Sequence, residues 1–490
     1  RPVSGRWICL PCAEDSVASS FVQRFAASRH ELLSKTQTER YPEAMRVPQG
    51  IRSSKLFLFG YFAMLMLAGG LLLWVLPTWA GEGELGLIDA LFTSVSAVAV
   101  TGLITMNTAY FSPLGQAIIL VLIQLGGLGI IAFSTLHLTQ PRRRISLQRR
   151  AVIREYFIGS LEYEPRRILR NIVVSTLAVE MLLALVLLPA FAAQGVEQPL
   201  FTAVFHAISA FCNAGFSTFA DSLEGFARVP SVTVPVMAGL VLGGLGFVVY
   251  QDISRRLTRR RHVLSLHTNL VLVSTAFLIV LGFLLYLGTE WRNALAGLPV
   301  KDRFLAALFQ SVTPRTAGFN TVPQSDLSAP GTVLTLMFMF VGGSPGSIAG
   351  GVKVTTVFLI AWAAIGRTDD SGDARVFHRK VPSSLVGRAT LFLVRALMIL
   401  AAGLFALSVT EVLLAGNAFS FKELAFETFS AFGTVGLSMG ITAELSVAGK
   451  LVIIATMFAG RVGLISLAVP SRGKHWRSLI DYPPGEVLIG

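Results

Sequence analysis

The chain has 490 residues, of which 53% are hydrophobic and only 14% are charged, and its formal net charge is +13. Soluble domains carry about 25% charged residues, so the composition excludes an ordinary soluble protein and indicates one embedded in lipid. The basic residues are clustered between apolar segments, which argues against a nucleic-acid-binding protein and for cytoplasmic loops that meet lipid headgroups.

The N-terminal extension, residues 1–50, is mixed and polar. We expect it to be disordered or not native. It shows no convincing signal peptide, since no apolar core precedes a small-residue cleavage site. Its Cys9 and Cys12 form one CxxC pair without a second pair, which argues against a zinc site.

Eight apolar segments follow, each near the ~20 residues that a spanning helix needs. They lie at 56–76, 114–138, 171–193, 232–250, 266–288, 331–365, 391–414 and 447–469. These eight segments form four successive pairs. Between the two members of each pair lies a segment too short and too broken to span, and we interpret these four segments as re-entrant pore helices. They lie at 87–100, 199–213, 302–315 and 421–433. Outer span, pore helix and inner span therefore recur four times.

A glycine motif follows each predicted pore helix. The four motifs are Val100-Thr101-Gly102, Asn213-Ala214-Gly215, Thr316-Ala317-Gly318 and Thr434-Val435-Gly436. With the two residues after each glycine they are called filter segments 1 to 4. A potassium filter needs four extended strands whose carbonyl oxygens replace the hydration shell of the ion. One chain with four copies supplies all four strands.

The copies also agree outside the motifs. Ten residues before the glycine stand Phe92, Phe205, Leu308 and Phe426, and six residues before it stand Ser96, Ser209, Val312 and Ser430. Repeats in a fixed order decide the architecture. The predicted fold is an all-α integral membrane protein. It has four tandem helix–pore-helix–filter–helix units in a pseudo-four-fold arrangement around one pore. The units are residues 51–140, 141–262, 263–368 and 369–470, followed by a cytoplasmic tail, 471–490.

The third inner span is anomalous in the middle of the membrane. Residues 342–353, here called the insert, contain Gly342, Gly343, Ser344, Pro345, Gly346, Ser347, Gly350, Gly351 and Lys353. Glycine permits unusual backbone angles and proline breaks the helical ladder. We therefore predict a broken helix below the filter. Because the other copies lack so long an insert, a gate is the favoured interpretation, and a packing kink is the alternative.

Several polar residues lie within the predicted membrane segments. Arg461 is in the fourth inner span, and an intramembrane charge is a functional candidate. It either projects into the permeation path, as a barrier or a partner of the insert, or forms a structural salt bridge with Glu180. Lys353 either belongs to the gate or extends toward the headgroups. His206 and Cys212 are interpreted as packing residues.

Charge predicts the orientation. The stretch 77–89 has acidic residues and no basic one, so it faces outside, the filters lie toward the outer side, and both termini are cytoplasmic. The basic segments 142–170 and 367–388 are either docking surfaces for a regulatory ring or only orientation signals.

Together, the four units, the Thr-Ala-Gly-Phe-Asn and Thr-Val-Gly-Leu-Ser filters, the insert and the Gly-Arg-Val-Gly motif resemble the Trk/Ktr/HKT superfamily of potassium transporters. The likeness covers residues 50–490 and is closest to the Ktr-type membrane subunit. It implies potassium uptake across the bacterial cytoplasmic membrane, and a homodimer with one pore per subunit. It also implies a cytosolic ring of nucleotide-binding regulatory subunits. K⁺ would bind at the filter glycines, the insert would gate the pore, and Arg461 would be the family's basic residue in the fourth inner helix.

Alternatives remain at this point. Val100 replaces a hydroxyl residue in filter segment 1, and none of the four segments has the second glycine of a TVGYG filter. Only the middle of each filter is then expected to form a tight carbonyl ring, so we expect fewer ordered ion sites than in a tetrameric channel and looser discrimination against sodium. The runner-up is a sodium-permeable or sodium-coupled transporter of the same fold. Na⁺ is an activator in some Ktr systems, although no residue here establishes that role. A membrane enzyme or structural subunit is remote, because the sequence has no HExxH, GxSxG or nucleotide-binding glycine loop, and no cofactor is expected.

Overall fold

A computed structural model describes residues 50–139, 165–258, 263–366, 373–377 and 379–463. From Ser53 onward these residues belong to one compact unit. The N-terminal extension up to residue 49, the tail 471–490 and most of the basic segment 142–170 lie outside the described residues. The regular secondary structure of the described residues is helical apart from one antiparallel hairpin, formed by β1 (Ala374–Val376) and β2 (Arg379–Val381).

The described helices follow the order outer helix, short helix, inner helix four times. Unit 1 contains α1 (Gly50–Val75), α2 (Leu87–Ala99) and α3 (Pro113–Thr139). Unit 2 contains α4 (Pro165–Ala193), α5 (Pro199–Phe211), α6 (Pro230–Leu245) and α7 (Phe247–Thr258). Unit 3 contains α8 (Leu266–Glu290), α9 (Val300–Val312), α10 (Ala329–Phe340) and α11 (Val354–Ile365). Unit 4 contains α12 (Ser383–Ser408), α13 (Phe421–Gly433) and α14 (Val447–Phe458).

Within the described residues, four helices are long and apolar enough to cross a membrane, and a fifth crossing results if the bent pair α6 and α7 is one span. The four are α1, α4, α8 and α12 with the π-helical turn Val409–Leu414 that follows it. Three of the inner helices are interrupted: α6 bends into α7, α10 and α11 are separate pieces, and α14 passes into a second π-helical turn, Ala459–Gly463. The first inner helix, α3, is continuous over its 27 residues.

The second inner helix is sharply bent. The sequence predicts one apolar span at 232–250, and within it the chain bends by 96° between α6 and α7. The bend lies at Gly246, whose φ of +86° is one that glycine adopts readily. A Cβ atom there would lie 2.8 Å from Ser344 Oγ. The bend is therefore at the point where the insert packs against unit 2.

The four short helices lie in the interior and end at the filter segments. Local sequence explains their starts: Pro199 occupies the first turn of α5, and Ser420 and Glu423 form a capping box at α13. Each carries at least one phenylalanine whose side chain is fully buried. These include Phe92, Phe205, Phe309 and Phe426. Buried aromatic rings fix each short helix against its neighbours, and so fix the starting point of each filter segment.

Candidate functional site

The four filter segments share one unusual backbone conformation. The first residue of each lies in the left-handed region, and so does the glycine two positions later. The φ angles are 55° and 95° for Val100 and Gly102, 56° and 71° for Asn213 and Gly215, 67° and 80° for Thr316 and Gly318, and 51° and 96° for Thr434 and Gly436. A non-glycine residue in this region costs of order 1–3 kcal/mol. Strain repeated at four equivalent positions indicates that the site requires this backbone shape.

The four segments meet each other in cyclic order. A Cβ atom added to any of the four glycines would lie less than 3.0 Å from a carbonyl oxygen of the next segment. Gly102 faces the carbonyl of Ala214, Gly215 that of Ala317, Gly318 that of Val435, and Gly436 that of Thr101. The last contact returns to the first segment. Twelve predicted filter residues from four distant parts of the chain are thus brought together, with a carbonyl oxygen from each segment beside a neighbouring glycine.

Hydrogen bonds within each unit hold the segments to their short helices. In unit 1, the Thr101 amide donates to the Ser96 carbonyl at 2.8 Å and the Gly102 amide donates to Ser96 Oγ at 3.0 Å. Unit 4 repeats both bonds, from Val435 and Gly436 to Ser430. In unit 2, Ser209 accepts from the Ala214 amide and donates its hydroxyl to the Phe216 carbonyl. The serines that recur six residues before the glycine therefore hold each of these segments to its short helix. The sequence alone did not reveal these contacts.

Unit 3 has a different register from the one expected. When positions are counted back from the filter glycine, Leu308 and Val312 align with the phenylalanine and the serine of the other units. The structure shows that these positions are filled by Phe309 and Thr313. The Ala317 amide donates to the Thr313 carbonyl at 3.0 Å, and Thr313 Oγ1 donates to the Phe319 carbonyl. The spacing from the buried phenylalanine to the filter glycine is one residue shorter in this unit, nine residues instead of ten, and counting back from the glycine does not reveal this.

Oxygen atoms without partners accumulate at the filter. Thr101 Oγ1, Asn213 Oδ1, Thr316 Oγ1 and Thr434 Oγ1 are buried and have no hydrogen-bond partner among the described residues. Within the same residues there is no group of three or more His, Cys, Asp and Glu side chains placed to hold a metal. Neutral oxygens in such number fit a weakly bound monovalent cation better than a divalent one.

The insert interrupts the third inner helix where the sequence predicts it, between α10 and α11. It is closed on itself by the Gly342 amide, which donates to the Val352 carbonyl at 2.8 Å, and by Ser347 Oγ, which donates to the Ser344 carbonyl at 2.6 Å. Gly346 and Gly351 have positive φ angles of 77° and 63°. These backbone angles explain the glycines, and the internal bonds replace part of the lost helical ladder.

The insert also contacts units 1, 2 and 4. Ser344 donates from its amide to the Gly244 carbonyl at 3.0 Å and from its hydroxyl to the Leu245 carbonyl at 2.7 Å. A Cβ on Gly127 would lie 3.3 Å from Ile348 Cγ2, and one on Gly350 would overlap Thr434 Oγ1. The insert therefore lies directly against the first residue of filter segment 4 and against the glycine pairs of α3 and α6.

Arg461 is a partner of the insert. Its side chain is buried, and its Nη1 donates to the Ile348 carbonyl while Nη2 donates to the Gly126 carbonyl at 3.4 Å. The alternative of a salt bridge with Glu180 is wrong, because Glu180 is bonded by Gln124 Nε2 at 3.1 Å and approached by the Cys212 thiol. Arg461 thus joins the fourth inner helix to the insert and to the first inner helix.

Lys353 lies at the end of the insert. Its Nζ donates to the Ala349 carbonyl at 2.6 Å, so the ammonium group points back into the insert. This contact favours its assignment to the gate region over extension toward the headgroups. Pro345 and Gly343 complete the set of predicted gate residues, and the Gly343 carbonyl accepts from the Val354 amide at the start of α11.

Comparison with known proteins identifies the family. The family model of TrkH, described as a cation transport protein, matches residues 48–478 of the chain. The chain belongs to this family. It is 37% identical to the Ktr system potassium uptake protein B of Bacillus subtilis (strain 168), over 88% of this chain and 95% of that protein. It is 36% identical to the potassium/sodium uptake protein NtpJ of Enterococcus hirae, over 91% of this chain and 99% of that protein.

A solved structure supports the fold. The crystal structure of the potassium transporter TrkH from Vibrio parahaemolyticus matches with a TM-score of 0.66 and 20% identity, over 88% of this chain and 86% of that chain. At this identity the match supports the fold alone. Family membership and the apolar helices together make this chain a multi-pass membrane protein.

Proposed function

We propose that the chain is the ion-translocating subunit of a Ktr/Trk-type system that takes up potassium through a gated, channel-like pore. The observation that carries the proposal is the cyclic contact of the four filter glycines with the carbonyls of Thr101, Ala214, Ala317 and Val435. Carbonyl oxygens arranged in this way replace the hydration shell of a monovalent cation without adding fixed charge. K⁺ is the transported substrate, and its proposed site is at the four glycines.

The cyclic order supports a pseudo-four-fold arrangement of the units around one pore. In this arrangement each unit contributes an outer and an inner crossing, eight in total, and the short helices enter the membrane without crossing it. Irregular backbone at membrane depth is tolerated where it lines a water-filled path or is buried in protein. In the described part of the chain, the filter segments and the insert have such backbone.

The insert is the proposed gate, with Arg461 and Lys353 as its polar contacts. Its support is its position: it lies against the inner end of filter segment 4 and bonds to backbone groups of other units. A segment so placed obstructs the path below the filter. Movement of the inner helices would change its bonds and open the path.

The proposal extends to partners and location. Relatives named as potassium uptake proteins of a Ktr system indicate a further component of the system, and we propose a cytosolic nucleotide-binding regulatory ring. The basic segments 142–170 and 367–388 are its candidate docking surfaces. We further propose a homodimer in the bacterial cytoplasmic membrane, in contact with lipid, with both termini in the cytoplasm.

One specific observation favours a second candidate, transport of sodium together with potassium. Filter segment 1 begins with Val100, which has no side-chain oxygen, whereas the other three begin with Asn213, Thr316 and Thr434. A relative of 36% identity is named a potassium/sodium uptake protein. In this candidate Na⁺ is a substrate or an activator.

Rubidium uptake tests the proposal. Purified protein in proteoliposomes is loaded with Rb⁺ against excess K⁺ or excess Na⁺, for wild type and for Gly318→Ser. We expect K⁺ to block uptake, Na⁺ to have little effect, and the substitution to change the result, because a side chain at Gly318 collides with the Val435 carbonyl. Equal competition by Na⁺ selects the second candidate. No uptake, even after a regulatory ring is added, overturns both.

A further inference from the structure

A buried polar side chain recurs at the same position in each of the four short helices. It is the residue that follows the buried phenylalanine. The four residues are Thr93, His206, Gln310 and Glu427, all of them buried. Counting from the glycine hides the equivalence of Gln310, because the spacing from the buried phenylalanine to the filter glycine is one residue shorter in unit 3.

Glu427 in unit 4 holds the backbone that leaves filter segment 4. Its carboxylate accepts from Ser438 Oγ, two residues after the filter glycine, and from Thr442 Oγ1 at 3.0 Å. Ser438 Oγ in turn accepts from the Gly440 amide at 2.9 Å. A fully buried carboxylate is costly unless donors satisfy its oxygens. These two hydroxyls satisfy it, so the outer end of the segment and Glu427 require each other.

His206 has the same relation to filter segment 2. Its Nδ1 donates to the Thr202 carbonyl at 2.8 Å, and its Nε2 is hydrogen-bonded to Ser217 Oγ at 3.0 Å. Ser217, like Ser438, stands two residues after the filter glycine. The imidazole also packs against the ring of Phe319, at 6.0 Å between centroids. His206 therefore contacts the outer ends of filter segments 2 and 3.

Gln310 completes the set in unit 3. Its Nε2 donates to Gln324 Oε1 at 2.8 Å, and Gln324 Nε2 donates to the Val322 carbonyl at 2.8 Å. Gln324 stands six residues after its filter glycine, as Thr442 does in unit 4. The short helix and the outgoing backbone are again joined by a buried polar pair.

Unit 1 is different. Thr93 Oγ1 donates to the Asp89 carbonyl at 2.8 Å, which lies one turn earlier on its own helix. Its hydrogen bond stays within α2 and does not extend to filter segment 1. Thr93 thus occupies the equivalent position but makes only a local hydrogen bond. A substitution there is a control for substitutions at His206, Gln310 and Glu427.

We propose that His206, Gln310 and Glu427 are positioning residues that fix the outer ends of filter segments 2, 3 and 4 and thereby set the discrimination of K⁺ from Na⁺. This inference rests on the proposed potassium pore. Carbonyl oxygens select between cations through their spacing and their freedom to move. The serine or threonine four residues after the buried phenylalanine bonds each segment to its short helix. The buried polar residues add a hold on the backbone that leaves filter segments 2, 3 and 4. Loss of a pair frees the outer end and lets the carbonyls contract around the smaller ion.

Competition assays on the intact protein test this role. Inhibition constants of K⁺ and Na⁺ for Rb⁺ uptake are measured in proteoliposomes for wild type, Glu427→Gln, Ser438→Ala, the double variant and Thr93→Val. In both single variants we expect the ratio of the Na⁺ constant to the K⁺ constant to fall about three- to tenfold. In the double variant this ratio should fall no further than in the more affected single variant, because the two residues share one interaction. Thr93→Val should keep the wild-type ratio.

Ser438→Thr supplies the rescue. It keeps the hydroxyl, so it should keep most of the discrimination that Ser438→Ala loses, and this pair carries the test if Glu427→Gln does not fold. The inference is overturned if wild type selects K⁺ and both Ser438→Ala and Glu427→Gln select it equally well, or if Thr93→Val lowers the ratio as much. Wild type without selectivity overturns the proposed function instead, so the two failures are distinguishable.

Discussion

The filter segments and the insert are both irregular backbone in the interior of the protein, and they are held in different ways. Each filter segment bonds to the short helix of its own unit, as Ser96 and Thr101 illustrate. The insert bonds to itself and to other units, through Ser344 and Arg461. Filter segment 3 also bonds to unit 2 at its outer end, through Asn320. Bonds within a unit persist when units shift and bonds between units do not, so the insert is the segment better suited to move.

The largest expected effect is on the filter. Gly102→Ala adds a Cβ at a φ of 95° that collides with the Ala214 carbonyl, and no flexible side chain is there to yield. We expect Rb⁺ uptake to fall about tenfold or more. Gly288→Ala is the matched control, because a Cβ there meets nothing within 4 Å. Uptake that survives Gly102→Ala unchanged would contradict the assignment of this segment to the pore.

The second effect is on the insert. Arg461→Ala removes the donors to the Ile348 and Gly126 carbonyls. Hydrogen bonds from a charged group contribute about 1.5–3 kcal/mol, so the equilibrium should shift toward the open state. We expect Rb⁺ uptake by the protein alone to rise about tenfold. Removal of an exposed charge by Arg395→Ala is the control. Lower uptake, in protein that still elutes as a folded species, would show that Arg461 supports conduction and does not restrain it.

The smallest effect concerns a bond that crosses between units at the outer side. Asn320 of filter segment 3 donates through Nδ2 to Glu224 Oε1 at 2.5 Å. Burial raises the pKa of the half-buried Glu224 carboxyl, the charges of Asp221 and Asp326 raise it further, and the hydrogen bond from Asn320 opposes the shift. A raised pKa means that the folded state binds this proton more tightly than the unfolded state. The contribution of Glu224 to stability is therefore greatest at low pH and is lost as the pH rises through its folded-state pKa.

The test is the midpoint temperature of thermal unfolding in detergent, measured at pH values below and above the folded-state pKa of Glu224. On acidification the wild type should gain stability relative to Glu224→Gln, which has no proton to bind. Identical pH profiles for the two proteins would show that protonation of Glu224 does not contribute to stability. The control for neighbouring charge is Asp221→Asn, which should reduce the difference without removing it.

Much of the fold was predictable because its signals are local. Apolar length, glycine motifs and clustered charge indicated the short helices, the filter segments and the break in the third inner helix, and the structure has helices and a break at those positions. The sites themselves were only partly predictable. The filter residues were named from their repeat, whereas His206 was interpreted as packing and Glu427 was not noticed. The signal that would have found Glu427 is a carboxylate inside an apolar helix, directly after the repeated phenylalanine.

The sequence by itself determined the approximate limits of the short helices and the position of the break in the third inner helix, since each depends on residues that are close in the chain. Only the tertiary structure decided the one-residue register of unit 3, the 96° bend at Gly246 and the partners of Arg461. Arg461 bonds Ile348 and Gly126, which are far from it in sequence, and Glu180 is bonded elsewhere. Such contacts depend on how units pack against each other, and spacing along one chain carries no direct record of that.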